Sequence, residues 1–312
     1  MPQTICGHRT STDTRGAMAS AAEWIEGARM RTLPTAVSPV LAGTAIGWWQ
    51  GSAPPAVAAL CLVVALGLVI GVNFANDYSD GIRGTDDHRV GPQRLVGSGA
   101  AEPVTVRNAA FGCFGVAGVA GLAAVALTGH WWLLAVGVAC VLAAWFYTGG
   151  SHPYGYLGLG EVFVFVFFGL VATAGTVYLL DGRVGSAGWV TAVAMGLIAD
   201  GVLVTNNLRD IASDTAAGKR TLETRLGERA TRLLYAALVV AVTLCGVLVA
   251  ALSTWWALLC LLGVTLLAPA AHIILGGARG MRLVATLRLT SMGELVFAAG
   301  LLAGVAVALA LG

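Results

Sequence analysis

Charge is what this chain has least of. Only 11% of its 312 residues are Asp, Glu, Lys or Arg, whereas 57% are hydrophobic and the mean hydropathy is +0.82. A soluble domain of this length cannot hide so much apolar surface, so the composition excludes that class and leaves a polytopic membrane protein. The net charge of +2 is no argument for a nucleic-acid partner, and none is expected. Cysteine is sparse as well. The six residues (Cys6, Cys61, Cys113, Cys140, Cys245, Cys260) form no CxxC or other ligand spacing, which argues against a thiolate metal site or a redox centre. Also missing is an N-terminal apolar core of signal-peptide length. Residues 1–20 are polar and read as a disordered tail before one membrane domain over 21–312. Glycine, by contrast, is plentiful at 42 residues, as expected where membrane helices approach closely.

Nine apolar segments stand out, at roughly 32–50, 55–75, 107–128, 131–148, 160–180, 187–208, 231–252, 254–275 and 286–311. Most are near the ~20 residues that span a bilayer, so the expected fold is all-α with nine transmembrane helices in one bundle. Alternating the loops puts nearly all arginine and lysine on one side, including Arg83, Arg89, Arg94, Arg107, Arg209, Lys219, Arg220 and Arg279; the other side has only Arg183. Positive charge marks the cytoplasmic face, which sets the N-terminus inside and predicts a multi-pass protein of the cell membrane. Trp48, Trp49, Trp131, Trp132, Trp189, Trp255 and Trp256 gather at the opposite edge as an interfacial belt and give the same topology.

Two polar stretches follow the second and sixth apolar segments on that cytoplasmic side. In the first, Asn73, Asp77 and Asp80 recur at i, i+4 and i+7; in the second, Asn206, Asp210 and Asp214 recur at i, i+4 and i+8. Each set therefore lies on one helix face. Oxygen ligands in register suit a hard divalent cation, and two such faces suit two Mg²⁺ ions bridging a diphosphate. Asn76 and Asn207 adjoin the two faces. Arg89 and Arg94 follow the first stretch and Lys219 the second, as a diphosphate clamp requires, and Arg29 and Arg31 precede the first segment. The organic part of such a ligand belongs in the apolar bundle, where a polyprenyl chain fits. Aromatic faces that would stabilise an allylic cation are Phe74, Tyr78, Tyr147, Tyr154 and Tyr156, the last three in a Gly- and Tyr-rich loop. Asp200, about two turns before Asn206, is a candidate to extend the polar face of the sixth segment into the bundle, whereas His272 and Glu294 are expected to snorkel or pair locally.

These stretches resemble the UbiA superfamily of intramembrane aromatic prenyltransferases, and within it the 1,4-dihydroxy-2-naphthoate branch of actinobacterial type. The likeness is carried by Arg29-Met-Arg-Thr-Leu-Pro34, by the first acidic stretch through Gly91–Ser98, by the loop Tyr147–Glu161, and by Asn206 through Leu222. It implies a central cavity under cytoplasmic cap loops. It also implies Mg²⁺-diphosphate held by Asp77, Asp80, Asp210 and Asp214, with Arg94, Lys219 and Tyr147 among the catalytic residues. Asn73, Asn76, Arg31, Arg89, Asn206, Asn207, Tyr154 and Tyr156 are the expected substrate contacts. The implied reaction joins a polyprenyl diphosphate to dihydroxynaphthoate with loss of diphosphate and CO₂, giving demethylmenaquinone. Some positions depart from the superfamily pattern: Gly84 and Gly218 stand where further Asp residues often occur, Asp86 is the nearest substitute, and His152 replaces a common Lys. Two other readings stay open, a relative with a different aromatic acceptor and a cation-coupled transporter. The transporter would place its site near the bilayer midplane rather than at one rim.

Overall fold

The structure, a computed structural model, describes residues 19–84, 94–150, 153–216 and 218–312. Asp86, Arg89 and His152 lie outside these, as does all but the end of the expected tail. Among the described residues there is no strand. Helix α1 (Ala21–Gly27) opens on a capping box in which Ser20 and Glu23 satisfy each other's backbone N–H. Nine more helices follow: α2 (Pro34–Gln50), α3 (Pro55–Arg83), α4 (Pro103–Thr128), α5 (Leu133–Phe146), α6 (Gly160–Asp181), α7 (Ser186–Ala216), α8 (Leu222–Leu252), α9 (Trp255–Leu275) and α10 (Met281–Leu311). Each expected apolar segment thus has its helix. Seven of them, α3, α4 and α6 to α10, are long and apolar enough to cross a membrane, whereas α2 has 17 residues and α5 only 14. Proline at the first turn of α2, α3 and α4 sets their starts, where a missing N–H costs nothing. Hydropathy marks only the greasy part of a helix. α3 therefore continues beyond residue 75 to Arg83, and α8 begins at Leu222 rather than near 231, with a break at Gly227 (φ 75°, ψ 167°).

The helices form two groups. Around α7, Met195 and Ile198 pack with Ile46 of α2, Val249 of α8, Cys260 of α9 and Phe297 and Leu301 of α10. In its most apolar stretch α7 is 67% buried, against 28% for α3, so α7 is the axis of the fold. Against it lies α6, at a crossing so close that a Cβ on Gly169 would sit 2.5 Å from the Gly196 Cα. The second group is α3 packed along α4, with α5 leaning on both and burying no residue of its own. α5 and α6 do not pack along each other. Between the groups lies a cavity of about 810 Å³, walled by α2 to α7. On its α6 side the helix is wound as a π-helix from Phe165 to Ala174, a winding often found at functional sites.

Candidate active site

The first acidic stretch is fully helical at the end of α3, and its side chains are almost completely enclosed. Asp77 is 1% exposed: its two carboxylate oxygens accept the backbone N–H groups of Leu95 and Val96 at 2.8 and 3.1 Å. Asp80, three residues on, faces Arg94 at 3.5 Å and accepts the Tyr156 hydroxyl at 2.7 Å. Asn76 accepts the Thr148 hydroxyl at 2.7 Å, and the Arg83 guanidinium donates to the carbonyls of Thr148 and Gly150. Asn73 points to the other side, donating to the Ala28 carbonyl and the Thr32 hydroxyl, both at 3.1 Å. So α3 fastens three pieces of chain: the turn before α2, the turn at Leu95, and the loop before α6.

The second stretch ends α7 and is more open. Arg209 forks onto its neighbour Asp210 at 2.6 and 2.7 Å, and Lys219 lies 3.7 Å from Asp214. Tyr156 joins the two stretches. Its hydroxyl is bound to Asp80, the Lys219 ammonium stands 4.7 Å from its ring centroid, the Arg83 guanidinium lies 6.0 Å away, and its carbonyl accepts the Arg220 N–H at 3.2 Å. Of the positions departing from the superfamily pattern, Gly84 (φ 70°) and Gly218 (φ 74°) are left-handed residues at or just beyond the ends of the two acidic helices, a conformation glycine adopts without strain.

Beneath this rim the cavity wall carries Asn73, Asn76, Asn206, Tyr147 and Tyr154. Tyr154 donates to the Ala143 carbonyl at 2.7 Å, stacks on Phe163 at 3.9 Å and meets Tyr147 edge-on at 5.4 Å; Phe163 in turn stacks on Phe167 at 5.9 Å. Burial, reinforced by the nearby Glu161, keeps the Tyr147 phenol well above its usual pKa, so it remains a neutral donor and an aromatic face. Two of the aromatic residues expected from the sequence lie elsewhere. Phe74 is buried against Trp24 and Tyr78 stacks on Trp145; neither lines the cavity. Arg31 is exposed and off the cavity, whereas Arg29 lines it. Sequence reasoning missed Phe163, Phe167 and Phe168, which look like the rest of an apolar run, and Thr148, whose partner is distant in the chain.

Behind the wall sits a buried acidic knot. Asn207 turns away from the cavity and donates to Glu223 at 2.9 Å and to Glu161 at 3.3 Å. Glu223 is 0% exposed and its Oε1 has no hydrogen-bond partner among the described residues, and Asp200 is buried on α7. Glu294 corrects an expectation. It neither snorkels nor pairs: it is 0% exposed on α10, and neither carboxylate oxygen has a partner among the described residues. His272 is exposed on α9. Among the described residues no three His, Cys, Asp or Glu side chains form a ready-made metal cage.

Residues 36–280 match the model of the UbiA prenyltransferase family. The chain is 52% identical over 283 residues to the 1,4-dihydroxy-2-naphthoate octaprenyltransferase of Mycobacterium leprae, covering 90% of this chain and 95% of that protein. It is 38% identical over 260 residues to the Escherichia coli protein of the same name, covering 81% and 84%. In fold it is similar to a UbiA homolog from Aeropyrum pernix, with a TM-score of 0.68 at 16% identity over 85% of this chain and 96% of that one. A UbiA homolog from Archaeoglobus fulgidus bound to GPP and Mg²⁺ is similar at a TM-score of 0.58 and 15% identity, covering 89% and 99%.

Proposed function

Because the chain belongs to the UbiA prenyltransferase family, we propose that it transfers a polyprenyl group from a polyprenyl diphosphate to 1,4-dihydroxy-2-naphthoate. Diphosphate and CO₂ leave, and demethylmenaquinone is formed. The observation that carries the reading is the Tyr156 junction, which ties Asp80 of one acidic helix to Lys219 and Asp214 of the other at the mouth of an apolar cavity. The names of the M. leprae and E. coli relatives support the acceptor.

The donor set fits Mg²⁺. It is all oxygen, with Asp80, Asp210 and Asp214 at the rim and Asn76 and Asn206 on the cavity wall beneath it, and Mg²⁺ is commonly held by one or two carboxylates together with substrate phosphates and water. When bound, two such ions neutralise the diphosphate and stabilise it as a leaving group. Asp77 contributes by holding the Leu95 turn, so that Arg94 stands beside Asp80. Arg94 and Lys219 bind the phosphate oxygens left over by the metal. The wall of Tyr147, Tyr154, Phe163 and Phe167 excludes water from the allylic cation and offers it aromatic faces. The bundle spans the cell membrane nine times with its N-terminus and acidic rim in the cytoplasm, a reading supported by the Arg/Lys asymmetry and the tryptophan belt. The test is purified protein in lipid discs given Mg²⁺, a polyprenyl diphosphate and dihydroxynaphthoate. A prenylated, decarboxylated product with stoichiometric diphosphate is expected; release of neither would refute the reading.

A further inference from the structure

The Asn207 side chain joins two parts of the chain that lie far from it in sequence. Its Nδ2 donates to Glu161 Oε1, 46 residues away at the start of α6, and to Glu223 Oε2, 16 residues away in the first turn of α8. A side-chain amide carries two N–H groups, and here each has its own carboxylate. None is left for a ligand, and Asn207 does not line the cavity, whereas its neighbour Asn206 does. Glu223 is fully buried, and a carboxylate so enclosed is costly without a donor.

Each of the two carboxylates closes a loop. Glu161 follows the turn Tyr154–Tyr156. Glu223 follows the turn that carries Lys219 and Arg220, which ends on Thr221, whose hydroxyl accepts the Thr224 N–H at 3.3 Å and caps α8. The loops run side by side: the Tyr156 carbonyl accepts the Arg220 N–H at 3.2 Å, and the Leu157 carbonyl accepts the Arg225 guanidinium at 2.9 Å. Asn207 makes a third rung, and this one is rooted in α7, the helix of Asn206, Asp210 and Asp214. We propose that Asn207 is a positioning residue: by holding Glu161 and Glu223 with one amide, it fixes both loops to α7 and so keeps Lys219 over the Tyr156 ring. Its effect on turnover rests on the diphosphate reading above, because Tyr156 and Lys219 stand where that group would bind. The fixing of the loops does not.

The donor and acceptor roles can be exchanged, which gives the test. Asn207→Asp has nearly the same shape but sets a third carboxylate against the other two. The triple variant N207D/E161Q/E223Q restores both hydrogen bonds with each polarity reversed. Losing bonds to charged groups predicts that N207D raises KM for the polyprenyl diphosphate about 10- to 100-fold while KM for the aromatic acceptor stays within about twofold. The triple variant should return to within about threefold of wild type. Trypsin reads the same loop without turnover. Cleavage after Lys219 and Arg220 should quicken about tenfold or more in N207D and fall back in the triple variant, while cleavage after the exposed Arg183, between α6 and α7, stays constant. A triple variant that stays impaired, as a lost substrate contact would require, overturns the assignment, and so does N207D with wild-type KM and cleavage. If N207D unfolds, faster cleavage after Arg183 shows it, and Asn207→Ser, which shortens the side chain without adding charge, decides by the same two readings. If the wild type transfers no prenyl group to any acceptor, the diphosphate reading fails, and the proteolysis alone decides the role of Asn207.

Discussion

The acidic stretches at the ends of α3 and α7 have the same residue types at nearly the same helical spacing, but they are built differently. On α3, Asp77 and Asp80 are 1% and 4% exposed and bind groups far away in sequence: the Leu95 turn, Arg94 and Tyr156. On α7, the side chains of Asp210 and Asp214 are 20% and 15% exposed and bind cations within five residues of themselves. The first is a joint that sets loops in place, and the second is a more exposed face whose cationic partners, Arg209 and Lys219, are local. Spacing alone makes the two look equivalent; burial and partners separate them.

Several experiments break or sharpen that contrast. On the proposed reading both stretches serve the same ion, so chelating divalent metal should abolish turnover and Mg²⁺ should restore it, followed as diphosphate release. Next, Asp210→Asn should lower kcat about 10²- to 10³-fold, the scale of one lost electrostatic contact to a leaving group, with Tm nearly unchanged. Asp77→Asn should lower activity too, but it should also cost about 1–3 kcal/mol of stability, because two buried N–H groups lose a charged acceptor. Thermal melts that rank the two the other way round would invert the comparison. Tyr156→Phe keeps the ring under Lys219 and removes only the bond to Asp80, so about a tenfold fall in kcat/KM is expected, with a far larger fall for Tyr156→Ala. Glu294→Gln should have the smallest effect, leaving kcat alone and leaving Tm level or higher, since it replaces a carboxyl buried without hydrogen-bond partners among the described residues by a neutral amide.

The nine apolar segments were legible because membrane span and hydropathy impose one length scale, and each became a helix among α2 to α10. The Asn/Asp faces were legible because helical period is local. What escaped was whatever depends on distant contact. Tyr156 and Asp80 are 76 residues apart, and Arg83 and Thr148 are 65 apart; no spacing announces either pair. The choice between Arg29 and Arg31 turns on one left-handed residue, which composition cannot indicate. Along α6 the hydropathy is uniformly high, and the π winding shifts the angular phase of every side chain, so a helical wheel assigns no cavity face there.

One consequence follows from α5. At 14 residues and 1.5 Å per residue it is only about 21 Å long, short of the ~30 Å of a typical hydrocarbon core, and it stands apart from α6. In a bilayer that gap would leave the cavity bounded by acyl chains on one side, and so short a helix would be accommodated by local thinning or by snorkelling of its flanks. On the proposed reading the chamber is then a composite of protein and lipid. Its fit to a given isoprenoid tail should shift between thin and thick membranes while every residue stays the same.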